Sequence, residues 1–180
     1  PRPPTRQQFQ QFRPGAIAGL TVDVARVAGV VQCKTPLFGE CSGFVEVLPR
    51  IIAAGYYHTA YLQFTGGQRM VERVAAVEAA VLDQPHRIIL EWPDVNFQLA
   101  PDSFPKGVGV VKSLRAGMVS HERSRVVIEL SEPALPLKIR SEPVYSGAAR
   151  EIIVELFPTG RAQFEEAVSK RREQAARRDQ

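Results

Sequence analysis

The segment Ser124-Arg125-Val126-Val127-Ile128-Glu129-Leu130 decides how this chain folds. It runs from Arg through three aliphatic residues to Glu and returns to an apolar residue. Two other segments share the design: Arg87-Ile-Ile-Leu-Glu91-Trp92-Pro93, and Arg150-Glu-Ile-Ile-Val-Glu155-Leu156-Phe-Pro158. β-Branched content, length and a nearby Pro predict a strand in each case. Alternate residues of a strand face opposite sides. Val126, Ile128 and Leu130 therefore face a core, and Arg125, Val127 and Glu129 face out. Ile88, Leu90 and Trp92 likewise face in, and Arg87, Ile89 and Glu91 face out. Arg and Glu on one outer face form a ladder, each cross-strand pair contributing roughly 0.2–1 kcal/mol. That pattern reads as structure rather than acid–base chemistry, and Trp92 reads as core rather than sugar platform.

Outward from these repeats, the Pro-rich loops 93–105 and 131–136 separate the strands. The reading is a mainly β chain, an antiparallel two-sheet β-sandwich. Met70, Val74, Val77 and Val81 recur at helical spacing, predicting a helical segment near 68–82 that Pro85 ends. Residues 159–180 read as an exposed, basic linker helix. Thr159 is its N-cap, Glu165 and Glu166 lie early, Lys and Arg lie late, and the apolar stripe is thin. Residues 1–14, rich in Pro, Gln and Arg, have the composition of a disordered basic tail. Residues 15–67 hold glycine-broken apolar runs without clear alternation and stay unassigned, so the predicted sandwich covers 68–158.

Of the 180 residues, 44% are hydrophobic and 23% charged, as in a soluble globular protein. No apolar run is long enough to span a membrane. The net charge of +4 gathers at the two ends. Without aromatic interleaving this reads as solvated tails, and no nucleic-acid partner is expected. Cys33 and Cys41 would clip a small loop in an oxidising compartment and be free thiols in the cytosol.

Catalytic constellations are missing. The three histidines, His58, His86 and His121, are scattered, and Arg125 stands where the second His of a helical His-Glu-x-x-His zinc site would follow His121-Glu122. Ser42 lacks a Gly-x-Ser-x-Gly elbow, and Lys106-Gly-Val-Gly lacks the Lys-Ser/Thr of a phosphate loop. The expectation is a chain that is not an enzyme, with no metal and no cofactor.

The stretch Val111-Lys-Ser-Leu-Arg115-Ala-Gly117, a polar turn, and Ser124 to Leu130 together resemble the core of the AMIN domain. Gln84-Pro-His-Arg-Ile-Ile-Leu-Glu-Trp-Pro-Asp-Val95 is similar to that family's preceding strand, and the third repeat to its closing strand. Thr159 to Glu166 is similar to the segment leading into its linker. The likeness runs from about Pro85 to Pro158. Upstream of Gly67 nothing matches, and the helical pattern at 68–82 sits where the family has strand. The resemblance implies an exported, periplasmic β-sandwich that binds peptidoglycan. It also implies that the module helps place a zinc-dependent N-acetylmuramoyl-L-alanine amidase at the division site, the catalytic domain following this chain. Peptidoglycan carries carboxylates that Arg can bind bidentately. The candidate binding residues are Lys112 and Arg115, with Arg125 next along, then His121 and Arg123 at the turn. Divisome or envelope proteins are further candidate partners. The alternative reading is a protein–protein interaction β-sandwich of a secretin or divisome complex.

Overall fold

The alternation in the three repeats is what closes the structure into layers. The computed structural model describes residues 20–25, 27–35, 39–54, 57–99 and 104–178, so the predicted tail at 1–14 lies outside the described residues. Among the described residues eleven strands follow in order: β1 (Leu20–Val24), β2 (Val27–Thr35), β3 (Gly39–Ala54), β4 (Tyr57–Gly66), β5 (Glu78–Leu82), β6 (Arg87–Pro93), β7 (Val95–Leu99), β8 (Val111–Ser120), β9 (Arg123–Leu130), β10 (Ala134–Val144) and β11 (Ala149–Pro158). Helix α1 (Gln68–Val74) lies between β4 and β5, and α2 (Arg161–Arg178) follows β11.

These strands make two antiparallel sheets. Sheet I has the order β10-β11-β4-β3-β2-β7, with β1 also on β3. Sheet II has the order β8-β9-β6-β5, and one parallel pairing, Val95 with Arg123, joins it to sheet I through β7. The fold is thus the expected two-sheet sandwich with a C-terminal helix. On β9 the inward Val126, Ile128 and Leu130 are buried and Arg125, Val127 and Glu129 only partly so. Ile88, Leu90 and Trp92 of β6 are likewise fully buried. Ile89 departs from the simple pattern: it lies on the outer face of β6 and is still only 4% exposed.

An aromatic group ties the layers together. Phe64 of β4 meets Trp92 of β6 edge-on at 5.4 Å and stacks with Phe97 of β7 at 5.2 Å, while Trp92 and Phe97 meet at 5.6 Å. Trp92 belongs to the core, as its place on the apolar face requires. Its Nε1 donates to the carbonyl of Val74 at 2.9 Å. That carbonyl is among the last of α1 and has no partner within the helix. Met70, Val71 and Val74 bury the inner face of α1 in the same core.

Several expectations need correction, and the loop expected at 93–105 contains strand β7. The helix predicted over 68–82 stops at Val74, and Glu78–Leu82 is strand β5, antiparallel to β6 with Val81 opposite Ile88. Val77 and Val81 fit a helical period, but β6 offers an open edge of backbone donors and acceptors, and pairing overrides the local preference. The C-terminal helix is not exposed along its whole length. Phe164 is fully buried and Val168 only 4% exposed, both within the core cluster, and the ring of His86 meets Phe164 at 4.7 Å. Helix α2 starts at Arg161, so Thr159 lies one position outside the cap, where its hydroxyl donates to the Gln163 side chain.

Nor does the sheet begin at residue 68. β4 pairs with β11, and β2 with β7, so residues 20–66 and the repeats share one hydrogen-bonded framework. Cys33 and Cys41 are register partners on β2 and β3; their side chains lie outside the described residues.

Because Phe164 anchors α2 in the core, Phe164→Ala is expected to lower stability by about 3 kcal/mol, the usual cost of emptying a buried aromatic site. Urea unfolding measures it, and a change under about 0.5 kcal/mol would mean that the helix is not docked.

Candidate functional site

The outer face of sheet II carries the candidate site, and its strands explain how the residues meet. Arg125 stands opposite Glu91 in register, and Glu129 stands opposite Arg87. Arg125 gives both Nε (2.7 Å) and Nη2 to Glu91 Oε1, while Arg123 Nη1 reaches Glu91 Oε2 at 3.3 Å. Lys112 Nζ donates to Glu129 Oε1 at 2.5 Å, and Arg115 Nη2 to Glu129 Oε2 at 2.9 Å. Each carboxylate thus holds two cations, one on each oxygen.

Lys112 and Arg115 share this face because β8 is irregular. Three positions apart, they would point to opposite sides of a regular strand. A β-bulge between Val111 and Ser113 inserts one residue, so that two steps along β8 match one step along β9. Val111 and Leu114 therefore both face the core, and Lys112 and Arg115 both face out. A second irregularity between Met118 and Ser120 leaves Met118 and Val119 exposed near the hairpin end.

The electrostatics are uneven. Arg87, Lys112, Arg115, Arg123 and Arg125 surround two carboxylates, with Glu78 opposite Glu91 on β5 as the other acid of the face. The cations stand proud: Lys112 and Arg115 side chains are 62% and 63% exposed, those of Glu129 and Glu91 13% and 16%. The hydrogen bond from Lys112 holds the Glu129 carboxyl below the usual glutamate range, against a smaller opposing effect of burial, and the charges of Lys112, Arg115 and Arg87 add to it.

Of the five residues singled out in the sequence, Lys112, Arg115, Arg123 and Arg125 thus converge on one face. His121 occupies the exposed turn between β8 and β9 and offers its backbone carbonyl to Asn96 Nδ2 at 3.3 Å. The other histidines serve elsewhere. His58 is buried and its Nδ1 accepts from Val110 N–H at 3.3 Å, while His86 lies 2.8 Å from Asp83. Gly109, at φ 59°, passes so close to His58 that a Cβ would sit 2.2 Å from Nδ1. The glycines after Lys106 therefore serve a tight approach. Among the described residues no three His, Cys, Asp or Glu side chains gather as metal ligands, and no helix is long and apolar enough to cross a membrane.

Sequence reading missed a second ladder on the outer face of sheet I. There Arg50 pairs with Glu151 and lies 5.2 Å over the Tyr61 ring, and Arg140 pairs with Glu155 and Glu142. Burial, then the nearby Glu151, pushes the Tyr61 hydroxyl above its ordinary pKa. The third repeat supplies Glu151 and Glu155 and was the available signal; Arg50 and Tyr61 lie in the unassigned region. No protein-family model matches the chain, and a search of curated proteins finds no match.

A carboxylate with a depressed folded pKa stabilises the fold above its unfolded pKa, near 4.3, and that contribution disappears as pH falls through the lower folded value. The stability difference between wild type and Glu129→Gln is therefore expected to be flat from pH 7 to about 5 and to shrink toward pH 3. Urea unfolding across that range measures it; a difference unchanged at pH 3 would contradict the pairing.

Proposed function

We propose that this chain is a non-catalytic cell-wall module that binds peptidoglycan through the outer face of sheet II. Its setting is the periplasm, beside an N-acetylmuramoyl-L-alanine amidase domain outside this chain. The observation that carries the reading is the excess of exposed cations over carboxylates on β8, β9 and β6. Peptide carboxylates of the wall polymer are ligands such a face can take, by charge-assisted and bidentate hydrogen bonds. The likeness to the AMIN domain rests on the strands that build this face. The appearance of β5 where that family has strand adds support.

A second reading, a protein-interaction sandwich, draws on a different surface. Leu137, displaced by a bulge in edge strand β10, is 67% exposed, and Phe157 of the neighbouring β11 is 45% exposed. Such residues suit a protein partner rather than a glycan.

Sedimentation with isolated sacculi separates the two. The chain is expected to pellet with sacculi at low salt and to be released at high salt, because exposed charges are screened. Arg115→Ala is expected to weaken binding several-fold while leaving the fold intact, since an exposed ion pair contributes only about 0–1 kcal/mol. A chain that stays in the supernatant at both salts overturns the wall reading and favours a protein partner.

A further inference from the structure

The two bridged carboxylates on sheet II do more than neutralise charge. Glu129 draws Lys112 and Arg115 together on its two oxygens, and Glu91 does the same for Arg123 and Arg125. Two like charges brought that close would repel without the anion between them. Both Glu side chains lie low and the cations rise above them. Arg115 spends only Nη2 on Glu129, and Arg123 only Nη1 on Glu91. Each site thus holds a cation pair at a spacing set by a carboxylate, with guanidinium donors still directed at solvent.

The sites also have a fixed separation. Glu129 stands opposite Arg87, four residues along β6 from Glu91. At a strand rise of about 3.4 Å per residue this sets the sites on the order of 14 Å apart. They lie on two paired strands, so the distance is held by a ladder and not by loops.

We infer that sheet II presents two preorganised carboxylate receivers, Lys112 with Arg115 and Arg123 with Arg125, which together take one ligand carrying two carboxylates about 14 Å apart. The inference rests on the wall-binding reading for its choice of face and deepens it: the ligand class is an oligomer with repeated carboxylates, held bivalently. A tethered second carboxylate meets its receiver at high effective concentration, so bivalency multiplies affinity without new kinds of contact. Glu91 and Glu129 act as positioning residues.

The test uses the full chain and two blocked peptides of five residues, one with Glu at both ends and one with Gln replacing the second Glu. Extended, the first spans about 14 Å between its carboxylate-bearing residues. Binding is measured by calorimetry or by NMR titration at low salt, and circular dichroism verifies the fold of each variant. The two-carboxylate peptide is expected to bind at least about fivefold tighter than the one-carboxylate peptide. That advantage is expected to vanish in Arg115→Ala and equally in Arg123→Ala, each of which breaks one receiver. Equal affinities in the wild type, an advantage that survives either variant, or no binding of either peptide each overturns the inference. Sacculi run in parallel keep the two ideas apart: sacculi bound without a two-carboxylate advantage leaves the wall reading standing and removes the receivers. No sacculi bound removes the wall reading, and the peptide result still decides the receivers.

Discussion

The contact on which the rest depends is the aromatic group between the sheets. Phe64 comes from sheet I, Trp92 from sheet II and Phe97 from the strand that links them, with ring centroids 5.2 to 5.6 Å apart. Such side chains supply the largest apolar burial in a core, and their edge-on contacts add to it. Among the described residues only one backbone pairing, Val95 with Arg123, joins the sheets. Their mutual position is therefore held by packing, with the aromatic group at the centre and the bond from Trp92 to Val74 fixing α1 beside it. The inner face of β6 is committed to this core, and the alternation of the strand then dictates what its outer face presents.

Glu91 precedes Trp92, so burying the indole turns the carboxylate outward, where β9 meets it with Arg125. The same logic turns Glu129 outward between the buried Ile128 and Leu130. The charged face is thus the other side of the core, and its geometry is as rigid as the sheet beneath it. The bulge at β8 completes it. Without that extra residue Lys112 and Arg115 could not share a carboxylate, and Glu129 would hold one cation instead of two.

The parts legible in the sequence are those where period and composition agree. Ser124 to Leu130 alternates cleanly, is β-branched and ends near a Pro; its strand, its inward residues and its outward Arg and Glu follow from the pattern alone. Residues 68–82 were harder, because one set of valines satisfies a helical spacing throughout while only the first half is helix. What made Glu78–Leu82 a strand is the open edge of β6, a tertiary fact. The docking of α2 was hidden for a similar reason: Phe164 and Val168 are a thin stripe by count, yet two buried side chains suffice to seat the first turns. At the site, Lys112, Arg115 and Arg125 could be named from residue type and strand position, and Arg123 from its place at the turn. Their pairing on two carboxylates could not, since it depends on a bulge that period-two reading does not contain. The second ladder on sheet I escaped because Arg50 and Tyr61 lie in a region where glycines and prolines interrupt the alternation.

The proposed wall binding turns on the outer face of sheet II. The most direct measurement is amide and Arg side-chain NMR of the labelled chain titrated with soluble, uncross-linked peptidoglycan fragments. Shifts are expected to concentrate at Lys112, Arg115, Arg123 and Arg125 on the outer face of sheet II. Shifts confined to the face of sheet I around Tyr61, Arg140 and Phe157, or no shifts at saturating fragment, would contradict the proposed binding.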